Sequence, residues 1–378
     1  MPPRSDLCWP PADPGQGQPR VIVAIPARDE GEAIGATLRA LGAQIGETGQ
    51  PFQDFGVLLL VNNCSGDTVA SAREAAPPGF RLWTEEVTLP PGEANVVGAR
   101  RRALDRAAEL AGDDGVIVST DADTRAAPDW LWALLRPILA GADAAAGRIL
   151  LAGDGAALCP EVRSTHHLDD LYRLAACELS ARLDPDPADP WPRHHQHFGA
   201  NLALSVRAYR AVGGVPQVPC LEDLALVREL RRADCTLRHT PDARVYTSAR
   251  LSGRVTVGLS TQLAEWRRGP ATWLVPGGAE IAALAHAEAG LRAAYPGGWH
   301  PDLPGLWRSD AAPLSTALHA PTLGLALEAA HAAREAGDWP ALYPPVPVAQ
   351  ALGEVRGLLA RTAVPVPRQP LRVNTSSR

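Results

Sequence analysis

The stretch GVIVSTDADT, residues 115–124, decides the fold. Its apolar first half predicts a buried strand, which ends in two carboxylates, Asp121 and Asp123, with Ala122 between them. Two acids this close repel each other, and this stretch alone leaves two interpretations open. One is a turn, in which Asp side chains bond nearby backbone. The other is a site for a divalent cation that offsets the repulsion.

Strand and helix patterns alternate over the first 150 residues. Apolar, β-branched runs predict buried strands, and apolar residues at helical spacing predict helices between them. The predicted strands are 20–26, 55–63, 80–87, 115–120 and 143–151, and the predicted helices are 31–41, 67–76, 93–112 and 128–140. This alternation indicates a mostly parallel central sheet flanked by helices on both faces.

The pattern changes after residue 150. It predicts helices over 162–183 and 221–233, a Pro-rich loop over 184–192, a strand over 194–206, and one or two short strands over 235–250. From about residue 255 the chain is rich in Ala and Leu, helical in pattern and broken by Pro. The end of the chain therefore predicts a mainly helical extension of the α/β part.

Composition limits the classes of protein to consider. The chain has 378 residues, 46% of them hydrophobic, and a net charge of −6, which argues against a general nucleic-acid binder. Six scattered Cys without a C-x-x-C pair argue against a zinc knuckle or a disulfide framework. We expect a cytoplasmic protein, since we find no signal peptide and no apolar run long enough to span a bilayer. Contact with a membrane surface stays open.

Polar side chains follow three of the predicted strands. Ligands of open α/β sheets bind outside the carboxyl ends of the strands. The residues at these ends are Asp29 and Glu30 after the first strand, Asn62, Asn63 and Asp67 after the second, and Asp121 and Asp123 after the fourth. Three strands that deliver polar groups to one edge favour a binding site over turn chemistry.

A nucleoside diphosphate would suit such an edge. Its concentrated negative charge can be held through a hard cation, which takes oxygen ligands. Asp121 and Asp123 can supply the protein ligands, or Asp121 can accept from a ribose hydroxyl while Asp123 binds the metal. Arg100, on the predicted helix 93–112, has the planar donor geometry to neutralise phosphate. The alternative for Arg100 is a solvated helix face.

Five motifs, taken in order, resemble those of the family 2 glycosyltransferases with the GT-A fold. They are VIVAIPARDEGEAIGATLRAL (21–41), VNNCSGDT (61–68), STDADT (119–124), FGANLALSVRAYRAVGG (198–214) and LEDLAL (221–226). The resemblance covers about residues 20–250. It implies an α/β fold of the GT-A type, with a mostly parallel central sheet flanked by helices.

The resemblance also implies a domain plan. We expect a flexible arm over residues 1–19 and a glycosyltransferase domain over 20–254. This domain would divide into a nucleotide-sugar half, 20–125, and an acceptor half, 126–254. A helical C-terminal region over 255–362 and an irregular tail over 363–378 would follow.

For the donor site, the resemblance implies a UDP- or GDP-linked sugar and a metal, Mn²⁺ or Mg²⁺, bound by Asp121 and Asp123 as the D-x-D motif. Asp29 stands where Asn is common, and Asn62 and Asn63 stand where an acid usually reads the base, so the base stays open. The residues assigned to the nucleotide sugar are Pro26, Ala27, Arg28, Glu30, Asn63, Asp67, Arg100, Asp121, Ala122, Asp123, Arg250 and Arg254.

For the acceptor side, the resemblance implies Gly199, Ala200 and Asn201 as lining residues. Glu222 and Asp223 match the E-D pair, whose Asp serves as general base. The implied mechanism is a direct displacement with inversion, in which the base takes the acceptor proton and the metal stabilises the departing diphosphate. From the residues alone, the helix dipole explains acids in the first turn of a helix better than catalysis does.

The histidines near the Pro-rich loop give weaker evidence for a site. His194, His195 and His197 lie beside the Pro-rich loop without an obvious acid or Cys partner, so we interpret them as a polar loop rather than a metal site. His239 is the nearest candidate for an additional metal ligand, and we do not assign it. Two other functions stay open: a nucleotidyltransferase, which would usually show a Gly/Arg-rich loop after the first strand, and a non-catalytic carbohydrate-binding or scaffold protein.

Overall fold

A computed structural model describes residues 19–155, 158–248 and 258–362 of the chain. Two residues assigned above to the donor diphosphate, Arg250 and Arg254, lie outside the described residues. So do the tail over 363–378 and the predicted arm except for its last residue.

The first half of the chain alternates strands and helices as predicted. The elements are β1 (Val21–Ala27), α1 (Gly31–Gly42), β2 (Gly56–Asn62), α2 (Thr68–Ala75), β3 (Leu82–Val87), α3 (Val96–Ala111), β4 (Val116–Ser119), β5 (Thr124–Ala126), α4 (Trp130–Leu139) and β6 (Ala144–Leu151). Helix α3 begins three residues later than predicted, because the Asn95 side chain accepts a hydrogen bond from the Gly98 amide and caps the helix there. Strand β5 was not predicted.

The second half begins with a short 3₁₀ turn (Ala152–Gly155). It is followed by α5 (Pro160–Leu183), β7 (Leu202–Ser205), α6 (Val206–Ala211), α7 (Glu222–Arg232) and β8 (Leu237–Thr247). The predicted strand over 194–206 is wrong before residue 202. There the Gln196 side-chain amide, not a strand backbone, bonds both the N–H and the C=O of Ile149, so this stretch does not need strand geometry.

The central sheet has the strand order β3-β2-β1-β4-β7-β6-β8-β5. Among the described residues four of its seven pairings are parallel, and the antiparallel ones involve β7 and β5. Leu202 at the start of β7 pairs with Ser119 at the end of β4. This register brings residues 199–201 beside the Asp121–Asp123 turn.

Helices cover both faces of the sheet. Side chains of a strand alternate between its two faces. Val21, Val23 and Ile25 of β1 pack in a cluster with residues of α1 and α4, whereas Ile22 and Ala24 pack with residues of α3, α6 and α7. Because both faces are buried, the central strands read as continuous apolar runs rather than as alternating ones.

The C-terminal region is mainly helical, as predicted. Its elements are α8 (Leu259–Trp266), β9 (Leu274–Val275), α9 (Gly278–Ala294), α10 (Leu303–Trp307), α11 (Ala311–Ala317), α12 (Leu323–Ala336), α13 (Trp339–Leu342), β10 (Val346–Pro347) and α14 (Val348–Arg361). Tyr172 and Leu179 of α5 share an apolar cluster with Ala351 and Val355 of α14. In the part of the chain that the structure describes, no helix combines the length and apolarity needed to cross a membrane.

Asn201 joins three elements of the core. Its side chain is fully buried, and Nδ2 donates to the carbonyls of Arg148 (2.9 Å) and Ala243 (3.0 Å). Its Oδ1 accepts from Nε1 of Trp130 at 2.8 Å. The structure therefore differs from the expectation that Asn201 lies beside the acceptor sugar, since every polar atom of its amide is bonded inside the protein.

We predict that Asn201→Ala lowers the free energy of unfolding by about 3 kcal/mol or more. The substitution leaves two carbonyls and one indole N–H without their partner, and each unsatisfied buried group costs about 1–3 kcal/mol. Urea denaturation measures the loss. Gln350→Ala, at an exposed position of α14, is the matched control and should change stability by less than about 0.5 kcal/mol. Equal stabilities of the two variants would contradict the structural role of Asn201.

Candidate active site

Arg100 of α3 stands at the centre of the candidate site and is only 6% exposed. Its Nε donates to Glu222 and its Nη2 to Asp121, both at 2.9 Å. Its Nη1 donates to Ser119 Oγ at 2.8 Å and to the carbonyl of Gly199 at 3.0 Å. One side chain thus connects β4, the loop before β7, and the start of α7.

The charge of Arg100 is maintained by its neighbours. Burial alone would lower the pKa of the guanidinium, but the carboxylates of Asp121, Glu222 and Asp223 outweigh burial and raise this pKa above its ordinary value. The sequence led us to expect a phosphate contact from Arg100. The structure instead gives each of its three nitrogens a protein acceptor, so the residue is engaged in holding the carboxylates.

The Asp121–Asp123 turn is anchored on both sides. The carbonyl of Ala122 accepts from Thr37 Oγ1 of α1 at 2.8 Å. Asp121 is held by Arg100, and Asp123 Oδ2 accepts from Ser248 Oγ at 3.0 Å. The antiparallel pairing of Thr124 with Thr247 brings Ser248 into place.

The turn offers oxygen donors of the kind that Mg²⁺ and Mn²⁺ prefer. Within the described ranges no group of three or more His, Cys, Asp and Glu side chains makes a ready metal site. A donor set of one or two carboxylates, completed by phosphate oxygens and waters, is the usual arrangement for Mg²⁺. The residues therefore fit a cation that is shared with a bound diphosphate.

Glu222 and Asp223 open helix α7. Glu222 is buried against Arg100, whereas Asp223 is half-buried. The Oδ2 atom of Asp223 accepts from the Gly199 amide at 2.7 Å, and its Oδ1 accepts from the Leu224 amide at 2.8 Å. Two backbone N–H groups thus fix the orientation of this carboxylate. Both acids also lie where the helix dipole favours negative charge.

Gly199 connects the two halves of the site through its backbone. Its carbonyl accepts from Arg100, and its amide donates to Asp223. A Cβ atom at this position would lie 2.5 Å from Cζ of Arg100. No side chain fits there without displacing the guanidinium. The neighbouring Ala200 is buried, and its carbonyl accepts from Thr120 Oγ1 at 3.0 Å.

Leu221, directly before the E-D pair, has a left-handed backbone with φ 57° and ψ 44°. This conformation costs an L-residue about 1–2 kcal/mol, and it is unusual for a bulky one. Such outliers cluster at functional sites, where the surrounding structure holds them in place.

The loops after β1 and β2 lie against each other, as the predicted donor site requires. Oδ1 of Asp29 accepts from the backbone amide of Ser65 at 2.8 Å, and the amide of Glu30 donates to Thr68 Oγ1 at 3.1 Å. Nη1 of the exposed Arg28 lies 3.4 Å from the carbonyl of Ala94, close to the start of α3. Pro26 and Ala27 form the end of β1 and pair with Leu60 and Val61.

Asn63 and Asp67 differ in what they offer a ligand. The amide of Asn63 bonds both the carbonyl of Leu89 at 3.0 Å and its N–H at 3.1 Å, so it holds the segment after β3. Asn62 is buried at the end of β2. Asp67 is exposed and occupies the N-cap position of α2, although its side chain makes no capping bond.

A chain of buried and half-buried side chains lies next to residues 199–201. Nδ1 of His239 is 2.8 Å from Asp189 Oδ2, and its Nε2 is 3.2 Å from His197 Nδ1. Both ring nitrogens of His239 are therefore engaged away from any metal. Burial, with Arg231 and His239, lowers the pKa of His197 to about 3. Asp189, in the Pro-rich loop, is the acid partner that the sequence did not reveal.

The other two histidines of this loop do not join a metal site. Nε2 of His194 lies 3.2 Å and 3.3 Å from the carbonyls of Ala146 and Thr240, and its Nδ1 accepts from the Gln196 amide. Burial lowers the pKa of His195 to about 2. These contacts agree with the interpretation of the segment as a polar loop.

Comparison with known proteins bears on the part of the chain that carries the donor motifs. The family model "Glycosyl transferase family 2" matches residues 22–182. No curated protein matches the chain significantly. The matched segment runs from β1 to the end of α5, so it includes the Asp121–Asp123 turn and Arg100 but not the E-D pair.

Several solved structures are similar to this chain. One is the mannosyltransferase PcManGT from Pyrobaculum calidifontis in complex with GDP-Man and Mn²⁺, at 18% identity over 93% of this chain and 84% of that chain, with a TM-score of 0.43. Another is glucosyl-3-phosphoglycerate synthase from Mycobacterium tuberculosis in complex with Mn²⁺, UDP-glucose and phosphoglyceric acid. It shows 17% identity over 69% of this chain and 84% of that chain, with a TM-score of 0.39.

Both TM-scores are below 0.5, so the likeness to the family rests on the sequence match alone. That match contains the strands, helices and acidic turn whose geometry is given above. Residues 22–182 of this chain match the model of glycosyl transferase family 2.

Proposed function

We propose that the chain is a metal-dependent, inverting glycosyltransferase that moves a sugar from a nucleoside diphosphate sugar to an acceptor hydroxyl. One observation carries this proposal. The buried Arg100 bonds Asp121 of the D-x-D motif and Glu222 of the E-D pair, and Gly199 bonds both Arg100 and Asp223. The motifs assigned to donor and acceptor thus share one hydrogen-bonded cluster.

The donor would bind at the edge formed by the loops after β1, β2 and β4. Asp121 and Asp123 would hold the divalent cation, which when bound supplies electrostatic stabilisation of the departing diphosphate. The contacts between the loops after β1 and β2 support a common pocket for the nucleoside. Both UDP- and GDP-linked sugars are donors to test.

Asp223 would act as the general base. As the acceptor oxygen bonds to the anomeric carbon, its proton passes to Asp223, and the anomeric C–O bond breaks with its electron pair going to the diphosphate. The amides of Gly199 and Leu224 keep the carboxylate in one orientation. A single displacement of this kind inverts the anomeric centre.

Arg100 would act as a positioning residue. It touches neither of the reacting atoms in this mechanism, but it fixes an acid of the donor side and an acid of the base side relative to each other. Its guanidinium also offsets part of the repulsion among Asp121, Glu222 and Asp223.

We predict that Asp123→Ala abolishes the gain in UDP or GDP affinity that Mn²⁺ produces, because it removes one of the two carboxylates of the turn. Isothermal titration with UDP and GDP, each with and without Mn²⁺, measures the effect. Asp302→Ala, at an exposed position of the C-terminal region, is the control and should keep the full Mn²⁺ dependence. Retention of that dependence by the Asp123 variant would remove the metal assignment.

We predict that Asp223→Asn keeps Mn²⁺-dependent nucleotide binding but lowers the rate of sugar transfer roughly 10²–10⁴-fold, since an amide does not take up the acceptor proton. Release of UDP or GDP from a panel of nucleotide sugars, with binding measured in parallel, tests this. Asp302→Asn serves as the control. Normal transfer by the Asp223 variant would show that the base lies elsewhere.

We predict that Arg100→Met lowers the free energy of unfolding by about 3–5 kcal/mol, because it leaves the buried Glu222 without its partner. The control is Arg106→Met on the same helix, where Arg106 pairs with the half-buried Glu85 and the exposed Glu109. This substitution should lower the free energy of unfolding by about 1 kcal/mol or less. Urea denaturation compares the two. A similar loss of unfolding free energy in both variants would contradict the proposed role of Arg100 in holding Asp121 and Glu222.

A further inference from the structure

Two exposed apolar residues lie close in sequence to the two partners of the hydrogen bond between Gly199 and Asp223. Phe198 is 37% exposed and Leu221 is 38% exposed. Phe198 directly precedes Gly199, whose amide bonds Asp223, and Leu221 lies two residues before Asp223. Single exposed apolar residues are ordinary on a protein surface. Here, however, Phe198 and Leu221 each lie within two residues of a partner in the same hydrogen bond, the one from Gly199 to Asp223.

The backbone conformation of Leu221 favours a functional role for its side chain. Its left-handed conformation, φ 57° and ψ 44°, is one that glycine adopts without penalty. The chain carries instead a bulky apolar residue that is not buried in the core. Strain of this kind points to a function of the residue rather than to packing.

Phe198 contacts a series of side chains that begins at Asp189 and includes two histidines. The rings of His197 and Phe198 stack with their centroids 6.0 Å apart and an interplanar angle of 27°. His197 contacts His239, and His239 contacts Asp189. The contacts thus form one series, from Asp189 through His239 and His197 to the exposed ring of Phe198.

The donors and acceptors of this series are mutually consistent. Burial alone would raise the pKa of Asp189, but the hydrogen bonds from His239 and the charge of Arg193 hold it below its usual value. An ionised carboxylate only accepts, so His239 donates from Nδ1 to Asp189. In a neutral His239, Nε2 then accepts from Nδ1–H of His197. A neutral His197 with its proton on Nδ1 meets this requirement, and its lowered pKa favours the neutral form. The orientation of His197 is thereby fixed.

We propose that Phe198 and Leu221 form an acceptor platform that packs against the C–H face of a pyranose ring, whose hydroxyl group faces Asp223. This inference rests on the proposed transfer reaction and names the class of its acceptor. A pyranose has an apolar C–H face and a polar edge, so it can contact the phenyl ring and present a hydroxyl to the carboxylate together. Asp189, His239 and His197 are positioning residues for Phe198.

Transfer to water provides an internal reference for this proposal. In that reaction the bond from the anomeric carbon to the diphosphate breaks, a bond from that carbon to a water oxygen forms, and the water proton passes to Asp223. Water does not need the platform. The ratio of transfer to hydrolysis therefore reports acceptor binding separately from the chemistry at the donor.

The experiment uses the full chain with Mn²⁺ and UDP- and GDP-sugars. The acceptors are methyl pyranosides of glucose, galactose and mannose, compared with glycerol and 1-butanol. We expect transfer to at least one pyranoside and none to the open-chain alcohols. Phe198→Ala should raise the acceptor KM, and lower the ratio of transfer to hydrolysis, roughly tenfold or more. Phe198→Trp should restore both values.

Two further variants separate a positioning role from general damage. Leu221→Gly should raise the acceptor KM without lowering the melting temperature, because glycine relieves the backbone strain. His239→Phe should raise the acceptor KM more than it lowers kcat. Leu274→Ala, at an exposed apolar residue of β9, is the control and should leave the acceptor KM unchanged.

Three results would overturn the inference. One is an unchanged ratio of transfer to hydrolysis in Phe198→Ala, and another is equal use of open-chain alcohols and pyranosides. The third is a wild-type protein that neither binds nor cleaves nucleotide sugars with Mn²⁺, which would remove the proposed function and this inference with it. The first two leave donor cleavage intact, so the two kinds of failure are distinguishable.

Discussion

The pairing of Arg100 with Asp121 and Glu222 is the interaction on which the candidate site depends. The buried charge of Arg100 is tolerated because carboxylates surround it, and the carboxylates can approach one another because Arg100 lies among them. The cluster is still richer in acids than in bases. This residual negative charge is suited to a cation, and thus to a diphosphate that arrives with one.

The sheet determines which groups meet in this cluster. Because β7 runs antiparallel to β4 and starts beside its end, the segment before β7 reaches the edge at which β4 delivers Asp121. Helix α7 then brings Glu222 and Asp223 to the same place. A purely parallel sheet would not return the chain to this edge directly, since a parallel crossover needs a connection of a dozen or more residues.

The sequence allowed much of the fold to be predicted and less of the site. Long apolar runs such as β1 and β2 have an unambiguous pattern, whereas β5 has three residues and no period to detect. The contact between Arg100 and Glu222 joins positions 122 residues apart, and no local pattern encodes it. Asn201 lies in the motif 198–214 that resembles the glycosyltransferases, yet its side-chain amide forms all its hydrogen bonds with buried core groups. Asp189 lies in a Pro-rich stretch that the sequence predicts as a loop, and nothing in its pattern indicates the contact with His239.

The packing of α5 against α9 and α14 bears on where this protein can be divided. Helix α5 lies within the family segment, but its apolar face, with Tyr172 and Leu179, is covered by residues from the end of the chain. A shortened protein that stops after β8 would expose this face to water. The α/β part and the helical extension thus share a buried apolar interface, and removal of the extension would leave α5 without its cover.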